Sequence, residues 1–483
     1  MRDARRILAA AAALLLVGAG IWLLRPSPTA GEVAVTFRGG AREVGGSCIL
    51  VEVPGDSFLV DCGSFGSAGD AIIPERPGGI SFVILTHAHS DHCGLLPELC
   101  AAGFDGEIYC TPPTADLVPV MLRMARNSSR QKVPRDDFDR SLASLRPVPY
   151  DETVRRGAVS FTLRRAQHLL GAAFVEVDVE TGSGPMRIVF SGDLGSGGSL
   201  LLAPLEPCGR ADYLVMESTY GGTVREQPED VAERYESFAG AVGTALRRGG
   251  DVLIPAFTLG RTQEVLAALD LYADRGVIPP GTLIYSDSPT ANRITRIYRD
   301  HPGELAGPAA SIYGDEPLTR PTHREVRSRT TMKVHERPHE PAVFITSSGN
   351  LEYANAPRHL VRMADDPDDL LCIVGWQSPG SVGARLAAGD STVLVRCREG
   401  SRTVEYWISP SIEVARFDAF SGHADADGLV DWAGRIEGVR RIFLVHGEPE
   451  QAQALSRRLA ERCGVSAEVP SAGLRVVLET PVR

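Results

Sequence analysis

The sequence predicts a β-rich domain interrupted by an inserted α/β domain, and three observations carry that prediction. Before Tyr213, short runs of β-branched and aromatic residues follow one another with Gly turns between them. From Tyr213 strand-like runs alternate with helix-like ones, the pattern of a parallel α/β unit. From Cys397 the chain is β-rich again.

In order, EVAVTF, SCILVEV, SFLVDCG and SFVILTH read as strands, and VSFTLRRAQH, AAFVEVDVE and MRIVFSGD as a hairpin-rich continuation. DYLVMES opens the second pattern. A helix is expected from Pro228 to Arg248, started by its proline and stopped by Gly249 and Gly250. Strand DVLIPAF, helix RTQEVLAALDLYADRG, strand GTLIYSDSP and helix ANRITRIYRDHP follow, then a polar connection from Glu304 to Pro341. AVFITSSGN and LLCIVGWQSPG resume the strands, and a last helix is expected around Gln451 to Cys463.

At 483 residues the chain is too long for one ordinary core, and 43% hydrophobic against 23% charged residues excludes a disordered one. A net charge of −11 gives no general electrostatic case for nucleic acid, so such a role needs metal ions or a local positive groove. The nine cysteines form no CxxC pair, which argues against a thiolate zinc finger, and their odd number favours reduced thiols and a cytosolic setting. The N-terminus argues the other way. Arg2, Arg5 and Arg6 precede an apolar run of 18 residues, Ile7 to Leu24, long for a signal-peptide core and sufficient for a membrane helix. An N-terminal hydrophobic helix anchoring the chain in a membrane is therefore expected over residues 1–30, with a cleaved signal as the alternative. By the positive-inside rule the body would be extracytoplasmic; without an anchor it would be cytoplasmic.

Chemistry is concentrated in LTHAHSDHCG, where Leu85 to Gly94 holds three of the chain's 11 histidines. At the end of an extended strand alternate side chains point the same way, so His87 and His89 can converge on one cation. Asp91 and His92, past the bend, are placed for a second, and imidazole and carboxylate are ligands zinc accepts. The plain alternative, an adventitious polar loop, fits poorly with a buried-type strand closed by Gly94. His168 in RAQHLLGAA, Asp193 in IVFSGDLG and His446 in IFLVHGEPE also leave strand-like runs beside glycine, and Asp193 is suited to bridging two cations. Asp61 in FLVDCG is placed likewise and reads as an acid orienting ligands or water. His301, His323, His335, His339 and His359 lie in helices or polar loops and read as solvated.

THAHSDH, QHLLGAA and SGDLG resemble the successive motifs of the metallo-β-lactamase fold. MESTYGG at Glu217, FDAFSGHAD at His423 and LVHGE at His446 resemble motifs A, B and C of its β-CASP branch. IPAFTLGRTQE, SDSPTA, ITSSG and VGWQSPGSVGARL resemble stretches of the domain inserted in that branch. The resemblance covers Ala34 to Gly473 and points to nucleases related to the endonuclease subunit of the cleavage and polyadenylation specificity factor. It implies a four-layer αββα sandwich over 31–220 and 398–483, with an inserted α/β (β-CASP) domain over 221–397.

For the site, the resemblance implies that His87, His89 and His168 hold one zinc and Asp91, His92 and His446 the other, with Asp193 bridging. Two Zn2+ per chain would turn a water into the hydroxide that attacks phosphorus. His423, oriented by Glu217, would protonate the leaving 3′-oxygen, giving a 5′-phosphate and a 3′-hydroxyl. The expected catalytic residues are thus Asp61, Asp91, Asp193, Glu217 and His423, with Ser218 and Thr219 supporting Glu217 and Asp425 supporting His423. Ser348 in ITSSG and Ser378 in WQSPG are expected to bind substrate. His446 together with Glu217 resembles RNA-processing members, so RNA is the expected partner, beside the membrane and a second copy of the chain. Two departures stand out: Arg225 where relatives often carry histidine, and Asn350 where they carry methionine, without the Gly-Gly-Arg that follows. The leading expectation is a zinc-dependent endoribonuclease. A hydrolase for another phosphoester or small substrate is an alternative, as is a catalytically silent scaffold, which the full ligand set disfavours.

Overall fold

Period-two alternation builds the β-rich part. Phe58, Val60, Phe82, Ile84 and Tyr109 turn to one side of their strands, and Leu59, Val83, Ile108 and Cys110 to the other. The same split separates Phe190, Tyr213, Val215 and Phe443 from Val189, Leu214, Met216 and Leu444. Strands apolar on both faces need cover on both. The structure, a computed structural model describing residues 32–64, 73–128, 133–182, 184–226, 228–313, 316–326 and 340–480, supplies it with two stacked sheets and helices outside them.

One seven-stranded sheet runs in the order Arg475–Leu478, Val33–Gly39, Cys48–Val53, Asp56–Val60, Phe82–Ile84, Glu107–Cys110, Leu145–Pro147. The other runs Ala467–Glu468, Arg441–Val445, Tyr213–Glu217, Gly184–Phe190, Ala173–Thr181, Val159–Arg165, Thr153–Arg156. Phe82 stacks on Phe58 within its sheet at 4.8 Å and meets Phe161 of the other at 6.0 Å. Each sheet is antiparallel over one half and parallel over the other, so several strands end at the same edge.

A third sheet, wholly parallel, runs His323–Glu325, Ile284–Asp287, Val343–Thr346, Val252–Pro255, Leu370–Ile373, Glu413–Arg416. Helix Glu236–Arg247 leads into it from Tyr213–Glu217, and helices Arg261–Asp274, Pro289–Asp300 and Ala356–Met363 connect its strands, as the alternating pattern predicts. The helix expected from Pro228 begins only at Glu236, after a 3-10 turn at Glu233–Tyr235. Two helices, Pro112–Ser128 and Arg135–Ala143, lie in a stretch to which the sequence assigns no element. The first opens on two prolines, and proline at a helix start forfeits no hydrogen bond.

The membrane expectation is corrected. Among the described residues no helix is long and apolar enough to cross a membrane, because their apolar faces are spent on covering sheets. The anchor expected over residues 1–30 lies outside the described residues. All nine cysteines are free thiols, eight of them buried. His359 and His323 are not solvated: His359 is fully buried against Asp287 at 2.9 Å, and His323 meets Asp270 at 2.9 Å.

The turn after Val60 is clasped to the turn that carries Asp91 and His92. Ser47 N donates to Asp91 O and Cys62 N to His92 O, both at 2.8 Å. A Cβ on Gly63 would stand 1.6 Å from Asp91 O. Gly63→Ala is therefore expected to cost more than the about 1–3 kcal/mol of ordinary overpacking and to lower metal uptake. Gly55→Ala, with φ of +78° but no atom within 4 Å, should cost only about 1–2 kcal/mol. Melting curves and metal analysis of the two variants check this; equal melting temperatures would refute the clasp.

Candidate metal centre

The residues singled out in the sequence gather where strands end. Asp61 follows Asp56–Val60, His87 lies just past Phe82–Ile84 and His168 past Val159–Arg165. Asp193 lies past Gly184–Phe190, Glu217 ends Tyr213–Glu217, and His446 follows Arg441–Val445. Asp61 at φ +61° and His446 at φ +47° leave their strands in left-handed backbone, a costly conformation outside glycine that clusters at functional sites.

Four groups converge first. His89 Nδ1 lies 3.2 Å from both His87 Nε2 and His168 Nε2. Asp193 Oδ2 lies 3.5 Å from His87 Nε2 and 3.6 Å from His168 Nε2. Tetrahedral ligands about 2.0–2.1 Å from a zinc ion stand about 3.3–3.4 Å from one another, so the spacing fits. Asp91, His92 and His446 make a second group, with Asp91 Oδ2 3.4 Å from His446 Nε2. His92 Nε2 and Asp193 Oδ1, 3.4 Å apart, are buried with no hydrogen-bond partner. Orphaned buried polar atoms of this kind call for a ligand, and a cation between them satisfies both. Asp193 thus presents one oxygen to each group.

The surrounding contacts fix which nitrogen each ring offers. His92 Nδ1 donates to Asp61 Oδ2 at 2.7 Å, and His168 Nδ1 to the Gly422 carbonyl at 2.7 Å, leaving Nε2 free on both. Asp61 also accepts from Thr86 N at 2.8 Å and from the Thr86 hydroxyl, so it orients ligands and does not join either group. Burial, then the neighbouring imidazoles, hold His87 and His168 well below the usual imidazole range, in the neutral state a metal ligand requires. Burial opposes charge on His92 as well, but Asp193 and Asp61 outweigh it and raise that ring.

Beside the second oxygen of Asp193 stands a different pair. His423 Nδ1 lies 3.1 Å from both Oε1 and Oε2 of Glu217, which is fully buried, and His423 Nε2 lies 3.9 Å from Asp193 Oδ2. Leu194 N at 2.6 Å and Thr219 N at 3.4 Å also donate to Glu217. Burial alone would lower the His423 ring; Glu217 and Asp193 overcome it and set it at about 8.

Supporting roles differ in part from expectation. Thr219 does touch Glu217, and its hydroxyl lies 3.1 Å from His446 Nδ1. Ser218 instead bonds Val445 O and His446 O, holding the end of the neighbouring strand. Asp425 caps helix Ala426–Gly434 and accepts from Arg225 N, making no bond to His423. Thr86 and the Gly422 carbonyl went unread, although each adjoins a histidine that was noticed. Ser348 is buried, its hydroxyl accepting from Glu352 N and Tyr353 N, so it shapes its loop. Ser378 is bound to that loop through Asn350, whose Nδ2 donates to Ser378 Oγ at 3.0 Å and whose Oδ1 accepts from Ser378 N at 3.2 Å.

Comparison with known proteins places these features in a family. Residues 41–253 match the metallo-beta-lactamase superfamily, 262–386 the Beta-Casp domain, and 409–470 the Zn-dependent metallo-hydrolase RNA specificity domain. Ribonuclease TTHA0252 of Thermus thermophilus is 34% identical over 435 residues, covering 88% of this chain and 95% of that protein. Transcription termination factor FttA of Pyrococcus horikoshii is 32% identical over 466 residues, 91% of this chain and 70% of that one. FttA of Methanocaldococcus jannaschii is 30% identical over 432 residues, 86% and 67%. A crystal structure of a protein of unknown function from Enterococcus faecalis, 14% identical, shares the fold with a TM-score of 0.53 over 92% of this chain and all of that one. With three family descriptions matched in order and identity sustained along nearly the whole length of a relative, the chain belongs to the metallo-β-lactamase superfamily, in its β-CASP branch.

Proposed function

We propose that the chain is a zinc-dependent ribonuclease that cuts RNA endonucleolytically, leaving a 5′-phosphate and a 3′-hydroxyl. The observation that carries this reading is a histidine backed by a buried carboxylate, standing beside the two His-rich groups and meeting them at Asp193. His87, His89 and His168 would hold one ion and Asp91, His92 and His446 the other, with Asp193 giving an oxygen to each. Two ions held there would supply Lewis acidity and an acidified water.

The chain's own side chains supply the rest. His423, its Nδ1 turned to Glu217 at 3.1 Å, carries on Nε2 the proton that the leaving 3′-oxygen needs, and the buried Glu217 carboxylate favours that protonated ring. The His423 loop also sets the ring of His168 through Gly422 O, which ties the acid to the ligand array. The loops of Ser348 and Ser378, joined through Asn350, would guide the strand. Likeness over 95% of a ribonuclease supports RNA as substrate, whereas the likeness to the termination factors spans 67% and 70% of their lengths.

Metal analysis of the full chain should find two zinc ions, and Asp193→Ala, which removes an oxygen from both groups, should lose metal and activity together. At most one tightly held ion in the wild type would count against the binuclear reading. A circular RNA tests the mode of attack: an endonuclease opens it, an exonuclease leaves it intact. Cleavage of a small phosphodiester with RNA untouched would favour a different phosphoester as substrate.

His423→Ala should spare the metal while slowing RNA cleavage about 10²–10⁴-fold, the range for a lost proton donor. Glu217→Gln should act in the same direction with metal content near wild type, because the two His-rich groups are complete without either residue. The His423→Ala loss should shrink on a nitrophenyl ester, whose leaving oxygen needs little protonation. Equal losses on RNA and on that ester would mean that His423 is not the acid.

A further inference from the structure

Arg261 opens the helix Arg261–Asp274 with a guanidinium that makes no direct ion pair, although the Glu264 carboxylate acts on it electrostatically. Its Nε is buried without a hydrogen-bond partner, and among the described residues no carboxylate pairs with it. The acid one turn on, Glu264, is engaged elsewhere, accepting from Ser199 Oγ at 2.9 Å, Leu200 N at 2.5 Å and Tyr235 OH at 2.8 Å. On one side the guanidinium adjoins the substrate loops: a Cβ on Gly375 would lie 4.0 Å from Arg261 Nε, and Gln377 of the same loop donates to Gly349 O. On the other side Tyr220 and Arg225 lie within its electrostatic reach.

Arg225 is also without a carboxylate for its guanidinium among the described residues. That group lies 4.2 Å over the Tyr220 ring and donates from Nη1 to the His423 carbonyl at 3.2 Å. Tyr220 in turn meets the His423 ring edge-on at 6.0 Å. Two arginines that make no direct ion pair therefore lie near the acid: Arg225 against the His423 carbonyl, and Arg261 against the Gly375 loop. A buried guanidinium left unpaired is unfavourable, and its planar fork of donors matches the oxygens of a phosphate.

We propose that Arg261 and Arg225 together bind one RNA backbone phosphate, the one immediately 5′ of the scissile phosphate. This rests on the ribonuclease reading, which puts the leaving 3′-oxygen at His423. Both arginines stand on the side of His423 and Tyr220, so they meet the nucleotide that departs with that oxygen, whose own 5′-phosphate is the nearest anion. The pair makes an internal bond a better substrate than one at the 5′ end that lacks this phosphate.

The test is a cycle between protein and RNA. An oligoribonucleotide with a mapped cleavage site is made with a neutral methylphosphonate immediately 5′ of the scissile phosphate, and kcat/KM is measured for wild type and Arg261→Gln on both RNAs. The neutral linkage should cost the wild type about 10- to 100-fold, the range for a charge-assisted contact. Arg261→Gln should cost a similar factor on ordinary RNA and little more on the neutral one, because both changes remove the same contact. Arg225→Gln, outside the Arg261 helix, should show the same non-additivity. Losses that simply multiply overturn the proposal while leaving the ribonuclease reading intact. A metal-loaded wild type that cuts no RNA overturns both.

Discussion

The Asp193 carboxylate is the constraint around which the rest of the centre is arranged. It is buried, and each of its oxygens serves a different cluster of imidazoles. Neutral ring nitrogens packed at 3.2 Å, with at most one proton between any two, gain little from each other. They are worth assembling only around a positive charge. Several strands that end at this edge of the two sheets deliver an imidazole or a carboxylate, and two of those residues, Asp61 and His446, do so through left-handed backbone. The stacked cores of Phe58, Phe82 and Phe161 give those ends a rigid platform, which a metal geometry needs.

Glu217 shows why a carboxylate next to a metal centre need not be a ligand. Its two oxygens are occupied by His423 Nδ1, Leu194 N and Thr219 N, in a site with no water contact. A charge so enclosed acts strongly on the imidazole it faces, and it favours a proton on the His423 ring against the effect of burial.

The ligand array was legible in the sequence because each member sits beside a strand end and a glycine, and short-range spacing brings THAHSDH together. The parallel insert was legible because strand and helix periods alternate cleanly from Tyr213 onward. What escaped were contacts made by ordinary residues across long separations. Thr86 looks like any strand threonine until Asp61 is folded against it, and the Gly422 carbonyl is a backbone atom with no sequence signature at all. Asp425 illustrates the opposite error: closeness to His423 in sequence suggested a partnership, whereas its carboxylate is used by the backbone of Gly428 and Arg225. Helix Pro112–Ser128 carries three prolines, two of them at its start, where proline forfeits no hydrogen bond, and no element was expected there.

The order in which the chain supplies the centre has a consequence for synthesis. Glu217 and His423 are 206 residues apart, and His446 follows the entire insert. A nascent chain folding from its N-terminus can bring together His87, His89, His168 and Asp193 early, yet it has neither the proton donor nor the last imidazole of the second cluster. On the proposed reading, such a chain would hold its first ion before it has the group that protonates the leaving oxygen, and it would stay inactive on RNA until its last strands have emerged.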